Sequence, residues 1–401
     1  MQTQFIDKFA KTAEGQEAEA ILRNCVHCGF CTATCPTYQL LGDELDGPRG
    51  RIYLMKQLFE GKEVSEKTQL HLDRCLTCRS CETTCPSGVS YGRLVDIGRH
   101  IVEQEVDRPL AEKMKRKALR MVLLNPALFQ TLLGLGRMAK PLLPASLKKK
   151  IPQRQTAPVW PQRDHLRKML VLEGCVQPIT TPHTNASTAR VLDKLGIQLI
   201  RAQGAGCCGA ASYHLSAHEE GYDAMRKNID AWWPYVEQGV EAILNTASGC
   251  GVVVKDYGKI LAHDERYAEK AKTISELAKD ISEILAGEDL SKLTLKAMGR
   301  VAFHSPCTLQ HGQQIVGQVE KILNRVGYEL TEVEDAHLCC GSAGAYSVLQ
   351  SSISQQLLDN KLNSLQADAP ELIATANVGC QMHMATKANI PVKHWIELLD
   401  Q

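Results

Sequence analysis

Sixteen cysteines constrain this chain more than any other feature, and each of them belongs to an internal repeat. Cys25, Cys28, Cys31 and Cys35 recur at an offset of 50 as Cys75, Cys78, Cys81 and Cys85, with Pro36 and Pro86 closing the two sets. Cys175, Cys207 and Cys208 recur at an offset of 132 as Cys307, Cys339 and Cys340. Cys250 answers to Cys380 after a two-residue contraction. No cysteine is left over. The fold must therefore gather thiols in fours, and it must do so by two different devices.

The first device is C-x2-C-x2-C-x3-C-P, the spacing bacterial ferredoxins use to hold a [4Fe–4S] cluster. Three thiolates on one tight loop reach three iron corners, and the fourth points away to the cluster of the other motif. Cluster one is accordingly assigned to Cys25, Cys28, Cys31 and Cys85, and cluster two to Cys75, Cys78, Cys81 and Cys35. Structural zinc is the competing reading, but zinc sites favour two separated cysteine pairs over three cysteines in seven residues. The 39 residues between Cys35 and Cys75 leave room for two helices, which predicts an α-helical ferredoxin module. Ile52, Met55 and Phe59 share one helical face, as do Leu94, Ile97 and Ile101. Arg23, Arg74 and Arg79 lie near the motifs, where positive charge would raise a reduction potential; a solvated surface arginine is the expectation for each.

The second device is a duplicated strand–helix unit. KMLVLEGC pairs with GRVAFHSPC, each a short apolar run that reads as a buried strand. ARVLDKLG pairs with VEKILNRVG, amphipathic helices closed by Gly196 and Gly327. IQLIRA and YELTEV then read as strands leading into Cys-Cys-Gly, with a second helix around Asn228 and Asn360. EAILNTASGC and ELIATANVGC close the units as strands. Strands alternating with helices imply two parallel α/β units. Loops at the carboxyl ends of parallel strands gather at one sheet edge. Cys175, Cys207, Cys208 and Cys250 should therefore meet, and so should Cys307, Cys339, Cys340 and Cys380.

One stretch, GAGCCGA, offers a rival chemistry. Gly204, Gly206 and Gly209 fit G-x-G-x-x-G, a loop that cradles a dinucleotide pyrophosphate. The duplicated loop EDAHLCCGSAG keeps Cys-Cys-Gly and loses the first two glycines. No acidic residue ends a following strand about 20 residues on, where a ribose contact belongs. No NAD or flavin site is expected on this chain.

Length and charge set the remaining bounds. A chain of 401 residues exceeds one ordinary core. The expected division is a ferredoxin domain over 1–106, a basic amphipathic linker over 107–168, and α/β units over 169–290 and 291–401. Net charge is only +1, and no nucleic-acid partner is expected. From Arg108 to Lys168, however, fifteen Lys and Arg face only Glu112 and Asp164. That segment carries the apolar pieces MVLLNPALFQTLLGLG and PLLPASL before the tail PQRQTAPVWPQ, and it suits an anionic lipid surface or an acidic partner; a solvated linker is the alternative. The first twenty residues lack the apolar core of a secretory signal. A cytoplasmic chain associated with the inner face of the membrane is expected.

The two C-x31-CCG units resemble the cysteine-rich "CCG" domain of heterodisulfide reductases and related oxidoreductase subunits. The whole arrangement, ferredoxin module then two CCG units, resembles the iron–sulfur subunits of bacterial glycolate oxidases. CVHCGFCTATCPTYQLLGDELDGPRGRIYL, CLTCRSCETTCPSG, NIDAWWP, TASGCG, CTLQH, HLCCGSAG and HWIEL carry that likeness. The resemblance implies an electron-transfer subunit of an oxidoreductase. An FAD-binding partner would oxidise glycolate, with D-lactate a further candidate, and a quinone or other membrane acceptor would take the electrons. No catalytic residue is assigned here. A CCG unit of that family can bind an iron–sulfur cluster through five cysteines, but here Ala247 and Asn377 stand where the fifth would be. The four thiols of each unit are thus candidates for additional metal, with metal-free core thiols as the other reading. His304, His311, His337 and His383 lie close enough in sequence to substitute as ligands, although a structural histidine is the expectation for each. Competing functions are the iron–sulfur subunit of anaerobic glycerol-3-phosphate dehydrogenase and a thiol–disulfide reductase.

Overall fold

The computed structural model describes all residues except 145–147, 150, 157, 294 and 296–298. Part of PLLPASL, Lys150 and Ala157 of the proline-rich tail consequently lie outside the described residues. The N-terminal region is helical, with α1 (Ala13–Asn24), α2 (Pro48–Phe59), α3 (Glu66–Asp73) and α4 (Tyr91–Glu105). The Thr12 hydroxyl accepts from the Gly15 amide and caps α1. Pro48 starts α2, where its missing N–H costs nothing. Ile52, Met55, Leu58 and Phe59 of α2 pack with Leu94, Ile97 and Ile101 of α4 in one buried cluster. Each such side chain stabilises the fold by ~1.5–3 kcal/mol. Gly98 permits the close approach, since a Cβ there would stand 2.5 Å from Met55 Sδ.

The basic segment folds as α5 (Leu110–Leu124) and α6 (Pro126–Ala139), with the Asn125 side chain capping the second helix. Its first part is anchored rather than solvated. Arg108 and Arg116 both donate to Asp73, at 2.6 and 2.8 Å, and Arg120 reaches Glu220 at 3.0 Å. Met114, Met121, Leu132, Leu135 and Met138 remain exposed. Among the described residues no single helix is long and apolar enough to cross a membrane; Leu110–Leu124 and Pro126–Leu142 together have the length and composition, but with a bend of 104°.

Two four-stranded parallel sheets follow. The first holds β1 (Arg167–Val171), β2 (Ile197–Arg201), β3 (Ile243–Asn245) and β4 (Ala278–Asp280) in the order β2-β1-β3-β4. The second holds β5 (Arg300–His304), β6 (Glu329–Leu330), β7 (Leu372–Thr375) and β8 (Val392–His394) in the order β6-β5-β7-β8. The helices are α7 (Pro182–Lys194), α8 (His218–Glu237) and α9 (Ser248–Lys255) in the first unit, and α10 (Gln318–Arg325), α11 (Ser351–Gln366) and α12 (Val378–Met384) in the second. Met169, Leu170 and Val171 are all buried, as expected of parallel strands covered on both faces.

Three details differ from the sequence expectation. EAILNT and ELIAT do not close their units, because β4 and β8 add a fourth strand to each. YELTEV shrinks to the two paired residues of β6. The second helices also align one residue differently. A Cβ on Gly209 would lie 2.7 Å from Gly221 O, and one on Gly341 would lie 2.6 Å from Ser354 O. Gly221 thus matches Ser354, and the counterpart of Asn228 is Lys361, not Asn360.

The units share a core. Met169, Leu192 and Ile197 of the first sit in one cluster with Phe303, Leu323 and Trp395 of the second. His394 Nε2 donates to Thr246 O across the junction at 2.7 Å. Its Nδ1 accepts from the Ile396 amide at 3.2 Å, and burial lowers the ring to about 4.

Candidate functional site

Four sets of thiols emerge from this scaffold, and all sixteen cysteines are free. The two N-terminal loops are built alike. His27 and Gly29 in one, and Thr77 and Arg79 in the other, have positive φ, so each loop curls around its own sulfurs. The Thr77 amide donates to Cys75 Sγ at 3.4 Å. Cys25, Cys28, Cys31 and Cys85 line one open cavity, which Cys81 also borders. Cys35, Cys75, Cys78 and Cys81 line a second. Burial pushes the Cys31 thiol up to about 11, and the neighbouring Cys25 and Cys85 add to the effect. Burial likewise raises Cys81, with Cys78, Cys75 and Cys35 contributing. Each cavity thus brings three thiols of one loop against a thiol of the other, with Cys81 bordering both. This donor set, soft, unpaired and arranged around open space, fits an iron–sulfur cluster.

Cationic side chains surround the second cavity. Arg51 is buried, donates to His71 O at 2.7 Å, and lies 3.5 Å from Asp46. Arg74 pairs with the same Asp46 at 2.7 Å. Arg79 donates to Asp256 at 2.7 Å. Of the three arginines singled out in the sequence, only Arg23 is a surface group, bridged to Glu19 within its own helix. Arg74 and Arg79 are corrected to partly buried ion pairs, and Arg51 escaped sequence reading because its partner sits on another element.

The cysteines of the α/β units leave the strands in a different way from the one expected. Cys175 lies in the loop beyond β1 rather than at the strand end, and Cys250 and Cys380 sit in the first turns of α9 and α12. They converge nevertheless. In the first unit Cys207 is hydrogen-bonded to Cys175 and Cys208, and Cys208 also to Cys250. Those bonds from Cys175 and Cys208 lower the Cys207 thiol. In the second unit Cys307 Sγ donates to Cys339 Sγ at 3.7 Å, and Cys340 is linked to Cys339 and Cys380. The Gly209 and Gly341 amides donate to Cys207 and Cys339 Sγ, each at 3.4 Å.

GAGCCGA is a thiol loop. Asn228 fixes it, accepting from the Gly206 amide and donating to Cys207 O, both at 2.7 Å. Gly209 and Gly341 are required because α8 and α11 press on the loops where φ is +87° and +85°.

The two α/β sets adjoin each other: the Ser248 amide donates to Ala376 O at 3.1 Å, joining the starts of α9 and α12. Ala247 is buried at the first fifth-ligand position, and at the second Asn377 Nδ2 donates to Cys380 Sγ at 3.4 Å. His311 is committed elsewhere, to Thr83 Oγ1 at 2.9 Å and His337 O at 3.0 Å. His383 Nε2 lies 3.2 Å from Ser354 Oγ. His304 differs: its ring joins Cys340 and Cys380 in a buried group whose ligand atoms lie within 4.8 Å of one another.

The N-terminal and second α/β sets meet. Cys78 packs with Cys307 and Cys339 around the buried Leu76, and Tyr346 Oη donates to Arg74 O at 3.0 Å.

Comparison with known proteins agrees with this anatomy. Residues 21–89 match the 4Fe-4S dicluster domain family, and residues 169–255 and 301–385 match the cysteine-rich domain family (CCG). The chain is 57% identical over 402 residues to the glycolate oxidase iron-sulfur subunit of Escherichia coli K12, covering 100% of this chain and 99% of that protein. It is 30% identical to the probable glycolate oxidase iron-sulfur subunit of Bacillus subtilis 168, covering 91% and 89% respectively. A 25% likeness to lactate utilization protein A of Bacillus subtilis 168 covers 58% of this chain and 99% of that protein.

Proposed function

This chain belongs to the family of glycolate oxidase iron–sulfur subunits, and on that premise we propose the route that electrons take through it. It is the electron-transfer subunit of a glycolate dehydrogenase complex, and substrate chemistry takes place on a partner subunit. The N-terminal cavities each hold one [4Fe–4S] cluster, on Cys25, Cys28, Cys31 and Cys85 and on Cys75, Cys78, Cys81 and Cys35. Such clusters supply one-electron carriers whose potential follows nearby charge and burial.

The protein's own residues set the direction. Cys28, Val26 and Phe30 are exposed beside the first cavity, an apolar edge suited to the FAD-binding subunit. Arg51 and Arg79 line the second cavity, and positive charge there favours electron arrival. From the second cavity the way leads into the second α/β unit and on to a quinone or other membrane acceptor. The observation that carries this reading is the packing of Cys78 against Cys307 and Cys339 through Leu76. The first unit's Cys208 and Cys250 pack in a separate cluster with Tyr213 and Trp232.

The test is to compare the purified chain with the purified complex. Glycolate should bleach the cluster absorbance of the complex and leave the isolated chain unchanged. Stoichiometric flavin and dye-linked glycolate oxidation by the isolated chain would refute the assignment.

A further inference from the structure

We propose that His304 is a metal ligand, its Nε2 acting with the Cys340 and Cys380 thiolates in the second α/β unit alone. His304 ends β5, and β5 pairs with β7 so that His304 stands opposite Thr375. Its Nδ1 bonds Thr375 Oγ1 at 2.9 Å; with the proton on Nδ1, the lone pair is on Nε2, the usual way a second contact fixes a ligating imidazole. Nε2 is fully enclosed and has no hydrogen-bond partner. Leaving such an atom unsatisfied costs about 1–3 kcal/mol, and the Cys340 and Cys380 thiols lie beside the ring.

The geometry needs little adjustment. A tetrahedral ion with bonds of about 2.3 Å to sulfur and about 2.0 Å to nitrogen sets its donors roughly 3.5–3.8 Å apart. A ring nitrogen of His304 and the sulfurs of Cys340 and Cys380 already lie within 4.8 Å of one another.

The duplication supplies the comparison. At the position of His304 the first unit has Leu172, which is buried. At the position of Lys361 it has Asn228. Lys361 is buried in the second unit, donates to Asp335 O at 2.7 Å, and places its amine beside Cys339 and Cys340. One copy therefore pairs its thiols with a buried imidazole and a buried amine, and the other pairs them with a leucine and an amide. Protonated, that amine would pair with an anionic metal–thiolate centre.

The ion is thiophilic. It is either iron within an iron–sulfur centre or a lone zinc, both of which accept mixed nitrogen and sulfur donors. This inference rests on reading the chain as an iron–sulfur subunit, and the experiment separates the two. Anaerobically purified protein would be assayed for iron, zinc and sulfide, with 14N hyperfine spectroscopy of the reduced centres and zinc-edge absorption. Iron of about eight atoms for the two N-terminal clusters tests the parent reading.

Nitrogen coupling at an additional iron centre, or about one zinc per chain with a mixed nitrogen–sulfur shell, is the expected result and tells the two sources apart. His304→Leu, which copies the first unit, should remove that signal and its metal. His304→Cys should keep the metal and lose the nitrogen. Should His304→Leu fail to fold, the measurements on the native protein still decide. About eight irons with no nitrogen coupling and no zinc would overturn the role of His304 while leaving the electron-transfer reading intact.

Discussion

Arg79 Nη2 donates to Asp256 Oδ2 at 2.7 Å, tying the loop between Cys78 and Cys81 to the end of α9 in the first α/β unit. Both side chains are largely shielded from solvent. Removing one partner of such a pair strands the other, at a cost of about 3 kcal/mol. Asp256→Ala should therefore lower the unfolding free energy by that order, and a double-mutant cycle with Arg79→Ala should show strong coupling between the two positions. Arg79→Ala should also lower the potential of the cluster held by Cys75, Cys78, Cys81 and Cys35, read by redox titration. Additive stability effects and an unmoved potential would count against both claims.

The exchange of Cys35 and Cys85 between loops should be visible in the paramagnetic spectra of reduced single variants. Cys35→Ser is expected to alter the same signal as Cys78→Ser, and Cys85→Ser the same signal as Cys28→Ser. A common signal damaged by Cys35→Ser and Cys28→Ser would contradict the crossed arrangement.

His394 sets a pH dependence for the junction between the α/β units. Burial depresses the folded ring to about 4, against about 6.5 when unfolded. The unfolded chain thus binds the extra proton first, so stability rises with pH between those values and falls on acidification through them. The window is worth on the order of 3 kcal/mol. Chemical denaturation at pH 7 and pH 5 should show the loss, and His394→Asn should flatten it.

Binding to lipid is expected to require the segment that contains α5 and α6. Lys148, Lys149 and Lys150 replaced by glutamate should release the complex from vesicles containing anionic lipid, an effect that added salt reproduces. Met121 and Met138 are exposed on that segment, so Met138→Ser should weaken binding without changing the salt slope. Unchanged binding at low ionic strength would leave the segment a spacer.

Much of this architecture was readable before any coordinates. The thiol spacing is a local constraint, and the 50- and 132-residue offsets carried the helical module and the paired α/β units. What escaped reading depends on contacts between distant segments. His304 reaches Cys380 only because β5 pairs with β7. The match of Asn228 with Lys361 follows from how closely two helices press on Gly209 and Gly341. Arg74 and Arg79 read as surface groups because Asp46 and Asp256, which bury them, lie on other elements. The β4 and β8 strands, three residues each, are too short to show a period.

The reciprocal placement of Cys35 and Cys85 has a consequence for biogenesis. Cys85 of the second loop lines the first loop's cavity, and Cys35 of the first loop lines the second's. On the proposed crossed ligation, filling either cavity would pin a residue at the rim of the other, and the first cofactor delivered would organise the reception of the second. A cell short of iron would then carry chains that are largely fully charged or wholly empty, with few halfway, and quality control need distinguish only those two states.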